Sequence, residues 1–167
     1  MRMVQCRMHN IDQPVTRRRV GLLLGSLAMV PVQAQTQKPG TTIHFDIDYK
    51  TTPDRIYQVL LDAKQFNACS GLPAEIDPKA GGWFKLFDGQ IEGRNVELIP
   101  NQRIVQAWRP SSWPAGVYSI ARFELVLRGS ATRIVFDHAG FTEGLKDHLA
   151  GGWAEHYWEP LHKYLNA

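Results

Sequence analysis

The stretch Leu149–Leu165 constrains the fold more than any other part of the chain. Set on a helix at about 3.6 residues per turn, Leu149, Ala150, Trp153, Ala154, Tyr157, Trp158, Leu161, Tyr164 and Leu165 share one arc. That arc is roughly 200° wide, about twice the apolar stripe of an ordinary surface helix. Gly151, Gly152, Glu155, Glu159, His162, Lys163 and Asn166 occupy the rest. A face this broad and aromatic needs a groove to lie in, so the remainder of the chain is expected to wrap around it. Two glycines inside a helix cost about 1 kcal/mol each relative to alanine, and they predict a close backbone approach or a local break. Pro160 predicts a kink. Either Thr142 or Asp147 reads as the cap that starts the helix.

Charge becomes informative only once the N-terminal segment is set apart. Thr16-Arg17-Arg18-Arg19 precedes an 11-residue apolar run, Val20–Val30, and then Pro31 and the small-residue site Val32-Gln33-Ala34. A basic region, a short apolar core and an A-x-A-like end predict a secretory signal peptide over residues 1–34. The core is shorter than the ~20 apolar residues that cross a bilayer. Adjacent arginines also match a twin-arginine signal in part, so both export routes stay open. The expectation is a periplasmic or secreted protein with no integral membrane segment in its mature part. Of the chain's 19 basic and 16 acidic residues the leader holds five and one, leaving 14 and 15, a net charge of −1. The basic balance of the whole chain therefore gives no warrant for nucleic-acid binding. Cys6 leaves with the leader and Cys69 stands alone, so no disulfide is expected within the mature chain.

Residues 35–40 read as a loose lead-in and 41–167 as one domain. Thr42–Lys50 alternates, with Ile43, Phe45, Ile47 and Tyr49 on one face and His44, Asp46, Asp48 and Lys50 on the other, which predicts a half-buried strand. Thr52-Pro53-Asp54 opens a short helix carrying Ile56, Val59 and Leu60, and a second short helix carries Phe66 and ends by Gly71. Strands follow at Trp83–Phe87, Gln90–Ile99, Arg103–Arg109, Ser119–Arg128 and Thr132–His138, with turn signals at Asp88-Gly89, Pro100-Asn101 and Gly129-Ser130. Ala121, Phe123, Leu125 and Leu127 are expected to pack together inward. The order of elements is α+β, an antiparallel sheet covered on one side.

An ordered series of short motifs adds to this: Gly81-Gly82-Trp83-Phe84, Gly89-Gln90-Ile91-Glu92-Gly93, Glu97-Leu98-Ile99-Pro100, Arg103–Arg109 and Gly152-Trp153. The series resembles the activator of heat-shock protein 90 ATPase family, within the START-like or SRPBCC superfamily, over roughly residues 42–165. The resemblance implies a helix-grip fold: a curved antiparallel sheet wrapped around a long C-terminal helix, with two short helices after the first strand. It also implies a frequent apolar cavity between sheet and helix.

The candidate site follows from the aromatic residues and one histidine. Trp83, Trp108, Trp113, Tyr118, Trp153 and Tyr157, with Gln106, are the expected ligand-binding positions, because Trp and Tyr suit the wall of an opening between sheet and helix. His138 ends an apolar strand face and is the candidate polar anchor, or the acid/base of a cyclase- or dehydratase-like enzyme in which Arg109 or Gln106 polarises a carbonyl. A core histidine satisfied by a carbonyl or water is the plain alternative to both roles. No HExxH, CxxC, P-loop or GxGxxG pattern is present, so neither metal nor cofactor is expected. The expected partner is an apolar or amphipathic small molecule; a protein-interaction module like the chaperone activators stands as the other class. A chaperone partner does not fit an exported protein.

Overall fold

The computed structural model describes residues 42–166; the leader and lead-in expected before residue 41 lie outside these. Strand β1 (Thr42–Tyr49) is followed by helices α1 (Pro53–Leu61) and α2 (Ala63–Ser70). Then come β2 (Glu75–Ile76), β3 (Trp83–Leu86), β4 (Ile91–Ile99), β5 (Arg103–Pro110), β6 (Ser119–Arg128) and β7 (Ala131–Ala139). The chain ends in one helical segment: α3 (Lys146–Trp153), a π-helical turn (Ala154–Trp158) and α4 (Glu159–Leu165). The seven strands form one curved antiparallel sheet in the order β1-β7-β6-β5-β4-β3-β2, which grips the terminal helical segment as expected.

Local chemistry accounts for the early elements. The Thr52 hydroxyl accepts from the Arg55 amide and Pro53 takes the first helical position. Asp62 caps α2, and Gly71 closes it in the left-handed conformation. Alternation builds β1, β5, β6 and β7, whose inward residues Ile43, Ile104, Phe123, Ile134 and Phe136 are buried. Strand β4 breaks the rule. A bulge between Asn95 and Glu97 leaves Val96 54% exposed while Asn95 is fully buried. Gly93 faces inward in the same strand, where a side chain would collide with the Ala107 carbonyl and the Phe84 ring. Periodicity alone does not reveal β2, which has two residues.

A chain of ion pairs runs across the outer face from β1 to β4. His44 on β1 reaches Asp137 on β7 at 2.7 Å, and Asp137 reaches Arg122 on β6 at 2.7 Å. Glu124 links Arg122 to Arg103 on β5, and Arg103 meets Glu97 on β4 at 3.1 Å. These pairs are exposed, so each contributes little alone; together they define which side of the sheet is wet.

Three expectations are corrected here. The helix begins at Lys146 with neither Thr142 nor Asp147 as cap; Leu145 precedes it with no side-chain cap bond. A backbone turn does that work, the Leu145 amide bonding the Thr142 carbonyl at 3.3 Å and the Leu149 amide bonding Leu145 at 2.9 Å. Gly151 and Gly152 do not permit a close approach, since a side chain at either would meet nothing within 4 Å. Pro160, the expected site of a kink, stands in the first turn of α4 directly after the π-helical turn. It lacks the amide that would bond the carbonyl four residues back, and the winding widens just ahead of it, Glu159 donating to Ala154 five residues back. Leu127, near the hairpin end of β6, is 59% exposed and packs against nothing substantial.

Trp153 lies at the centre of the grip, 2% exposed and ringed by Trp108, Phe123, Phe136, Tyr157 and Trp158. Trp153→Ala is expected to cost ~3–5 kcal/mol of stability. Gly151→Ala, which adds a methyl to an open helical position, is expected to gain up to ~1 kcal/mol. Urea denaturation of the two variants measures both, and equal midpoints would mean that Trp153 is not the residue holding the helix.

Candidate functional site

Two depressions lie at opposite ends of the terminal helical segment. One, about 680 Å³ and broadly open, is lined by Asp48, Lys50, Arg128, Arg133, His162 and neighbours. Its Arg133 is already paired with Asp48 at 2.7 Å. The other, about 440 Å³, lies between helix and sheet and has the apolar walls that small molecules favour. It is the candidate site.

Three segments build its lining. From the sheet come Trp108, Pro110, Ser111 and Ser112; from the β3–β4 turn Phe87, Gln90 and Ile91; from the helix His148, Leu149, Gly152, Trp153, His156 and Tyr157, with Leu72 completing the rim. Phe87 holds a left-handed backbone, φ 56°, unusual for a bulky side chain and costing on the order of 1–3 kcal/mol. Its ring is wedged at 5.4 Å from Phe66 and 5.1 Å from Tyr157, which offsets that strain and sets the wall. Trp108 donates its indole N–H to the Tyr157 hydroxyl at 3.3 Å, tying sheet to helix across the cavity floor. Burial pushes the Tyr157 phenol well above its ordinary range, so it stays neutral.

His138 does not line the cavity. It is fully buried behind Trp108 and Trp153, with ring centroids 5.0 and 5.5 Å away. Its hydrogen bonds run in one direction. The Trp153 indole N–H donates to Nδ1 at 2.9 Å, so Nδ1 must accept. Nε2 therefore carries the hydrogen and donates to Ser119 Oγ at 2.7 Å, and Ser119 donates to the Trp108 carbonyl at 2.9 Å. In this arrangement Nε2 has no lone pair to take a proton from Ser119, so the adjacent serine and histidine do not make a nucleophile and its base. Burial lowers the His138 pKa to about 4, because a proton on Nδ1 would be desolvated and would face the Trp153 N–H. The histidine is a satisfied core residue, with an indole and a hydroxyl as partners in place of the expected carbonyl or water.

The other expected residues separate. Trp108, Trp153 and Tyr157 meet at the cavity. Trp113 packs edge-on against Trp108 at 6.1 Å without lining it. Gln106 donates to Asn95 at 3.1 Å, and Asn95 donates to the Asp77 carbonyl, bracing the segment before β3. Trp83 and Tyr118 lie on the outer face, 42% and 43% exposed, because their positions alternate away from Phe84 and Ser119. Arg109 also faces outward, bound to Glu92 and to the Ser111 and Trp113 carbonyls, so it cannot polarise a carbonyl in the cavity. Phe87, another of the aromatic residues in the sequence, joins Trp108, Trp153 and Tyr157 at the cavity, while sequence reasoning missed His148, His156 and the two serines. The histidine pair, eight residues apart, borders the cavity on either side of Gly152 in the sequence. Among the described residues no cluster of His, Cys, Asp and Glu is gathered as metal ligands, and no helix is long and apolar enough to cross a membrane.

Stability should report the His138 network. The folded protein binds this proton near pH 4 and the unfolded chain already near pH 6.5, so between these values the unfolded state holds more protons. The contribution is complete above pH 6.5 and declines as pH falls towards 4, by ~3 kcal/mol in all. His44, whose pKa is raised chiefly by its bond to Asp137, acts in the opposite sense as pH rises, but it is exposed and adds little. Urea midpoints at pH 4 to 8 should therefore slope for the parent and flatten for His138→Gln; parallel slopes would show that His138 is not the titrating group.

The family model described as Activator of Hsp90 ATPase homolog 1-like protein matches residues 50–166. Activator of 90 kDa heat shock protein ATPase homolog 2 of Mus musculus is 26% identical over 131 residues, covering 78% of this chain and 40% of that protein. Homolog 1 of Homo sapiens is 26% identical over 113 residues, 68% of this chain and 33% of that protein. The chain thus spans 40% or less of the length of these two relatives. Among solved structures, an HSP90 activator from Plasmodium falciparum superposes with a TM-score of 0.72 at 24% identity, covering 76% of this chain and 97% of that one.

Proposed function

The chain belongs to the family of Activator of Hsp90 ATPase homolog 1-like proteins, and within it we propose that this member binds an apolar or amphipathic small molecule between the sheet and the C-terminal helix. The observation that carries the reading is the cavity of about 440 Å³ walled by Phe87, Trp108, Trp153 and Tyr157. Among the described residues its titratable lining groups are two histidines and a tyrosine, so little desolvation opposes entry of an apolar body. We also propose that the chain is exported, on the strength of the basic, apolar and small-residue order of Arg17–Ala34.

A second reading takes its support from the relatives' names: a module that engages a heat-shock protein of the 90 kDa class. It competes with export, because that partner and an exported chain would not meet. Trp83, Tyr118 and Ile120, exposed on the outer face, would supply its contact surface.

A neutral fluorescent dye such as Nile red should bind saturably and quench tryptophan emission. At a hundredfold excess over its dissociation constant it should stabilise the fold by about 2.7 kcal/mol. No saturable binding, together with stimulation of a 90 kDa heat-shock ATPase, would replace this reading with the second. Mass analysis of the protein from its native host is expected to find an N-terminus at Gln35, and an intact leader on cytosolic protein would remove the export proposal.

A further inference from the structure

The open depression at the other end of the terminal helical segment gathers cations that the rest of the fold leaves unmatched. Lys50, Arg128, Arg133 and His162 line it, and among the described lining residues Asp48 is the one carboxylate. Arg133 already holds that carboxylate with two parallel hydrogen bonds, Nε to Oδ1 at 2.8 Å and a terminal nitrogen to Oδ2 at 2.7 Å. The pair cancels, leaving the charges of Lys50 and Arg128. Arg55, Arg94, Arg103, Arg109, Arg122 and Arg133 each donate to a side-chain or backbone oxygen. Among the described arginines Arg128 alone makes no such bond, and it acts on Asp48 through its charge.

Backbone register brings the two cations to one place. Tyr49 pairs with Thr132, so Lys50 follows beside Ala131, and Ala131 pairs with Arg128 across the hairpin. All three alternate to the outer face, since Tyr49 and Thr132 are buried. Two strand spacings put the Lys50 and Arg128 backbones roughly 10 Å apart, a gap that the two long side chains together span. Ala131 between them offers a methyl group, which leaves the space above it open. The frame is tied down as well. The Thr132 hydroxyl donates to the Thr51 carbonyl at 2.7 Å, and the Thr51 amide bonds the Tyr49 carbonyl at 2.8 Å. Carbonyls at the end of α4 carry partial negative charge and so direct an anion to the strand side.

We propose that Lys50 and Arg128 form a site for a phosphoryl dianion, held over Ala131 between the two side chains. Two cations without acids match two negative charges, and the flat guanidinium donates to two oxygens of one phosphoryl group at once. The depression, about 680 Å³, is broad and open, so the body that bears the phosphate stays in water and is not itself selected. A phosphorylated soluble compound and phosphatidate in a membrane both present this chemistry. The site is separate from the sheet–helix cavity and does not depend on what that cavity binds.

Two-dimensional amide NMR of the full chain, titrated with inorganic phosphate at pH 8.0 against chloride of equal ionic strength, tests the site. Phosphate should move the amides of Lys50 and Arg128–Ala131 saturably and leave those of the sheet–helix cavity in place. Arg128→Gln with Lys50→Gln, both exposed, should weaken this binding on the order of tenfold. Lys64→Gln with Lys85→Gln removes the same charge elsewhere on the surface and should leave it unchanged. Co-sedimentation with phosphatidylcholine vesicles carrying one-fifth phosphatidate separates the two sources. Sedimentation lost in the Arg128 and Lys50 variant assigns the lipid headgroup; phosphate binding with no such difference assigns a soluble phosphorylated compound. If phosphate and vesicles act alike on the parent and that variant, or if the Lys64 and Lys85 variant is weakened as much, the site is overturned.

Discussion

The hydrogen bond from the Trp153 indole to His138 fixes how the two halves of the domain meet. Apolar packing alone would let a broad aromatic helix face rotate or slide in its groove, since such contacts are not directional. One donor aimed at one acceptor removes that freedom. The bond continues through Ser119 to the Trp108 carbonyl, so a single helix position is registered against β7, β6 and β5. Each member is buried, and loss of any partner would leave a polar atom without water or protein to satisfy it. The same chain of donors dictates the histidine's tautomer and its neutrality, which is why a residue with the look of a catalytic base is a structural fastener.

The π turn is the second determinant. On a regular α-helix Trp153 and Trp158 would stand about 140° apart, as successive residues turn by about 100°. Widening the winding over Ala154–Trp158 keeps all three buried, at 2%, 7% and 7% exposure. Pro160 makes this winding favourable, because its missing amide would have left a gap in the regular ladder just there. The unusually wide apolar arc seen in the sequence is the trace of that change of pitch.

Much of the fold was therefore legible. Alternation located β1, β5, β6 and β7 because each has one wet and one dry face, and Thr52-Pro53 marked α1 because its capping chemistry is local. What escaped was what depends on distant partners. The bulge at Val96 interrupts the alternation of β4, the cap at Leu145 uses backbone instead of a side chain, and two-residue β2 has no period to read. In the site, Trp108, Trp153 and Tyr157 were legible as large aromatic residues on inward faces. His148 and His156 were not, because exposed histidines beside an apolar arc carry no sign that they border a cavity. Trp83 and Tyr118 misled for the opposite reason: their chemistry suited a pocket wall while their strand positions pointed outward.

The order of the strands bears on how this domain behaves in a crowded solution. A sheet that does not close on itself has two borders, each with unpaired backbone donors and acceptors that invite another chain to add a strand. At one border β2 is only two residues long, too short to template a neighbour. At the other, among the described residues, β1 pairs with β7 alone and runs eight residues, but it displays His44, Asp46 and Asp48 along its outward face. Arg133 of β7 holds both carboxylates, so a strand added there would have to desolvate a row of ion pairs, which opposes the addition.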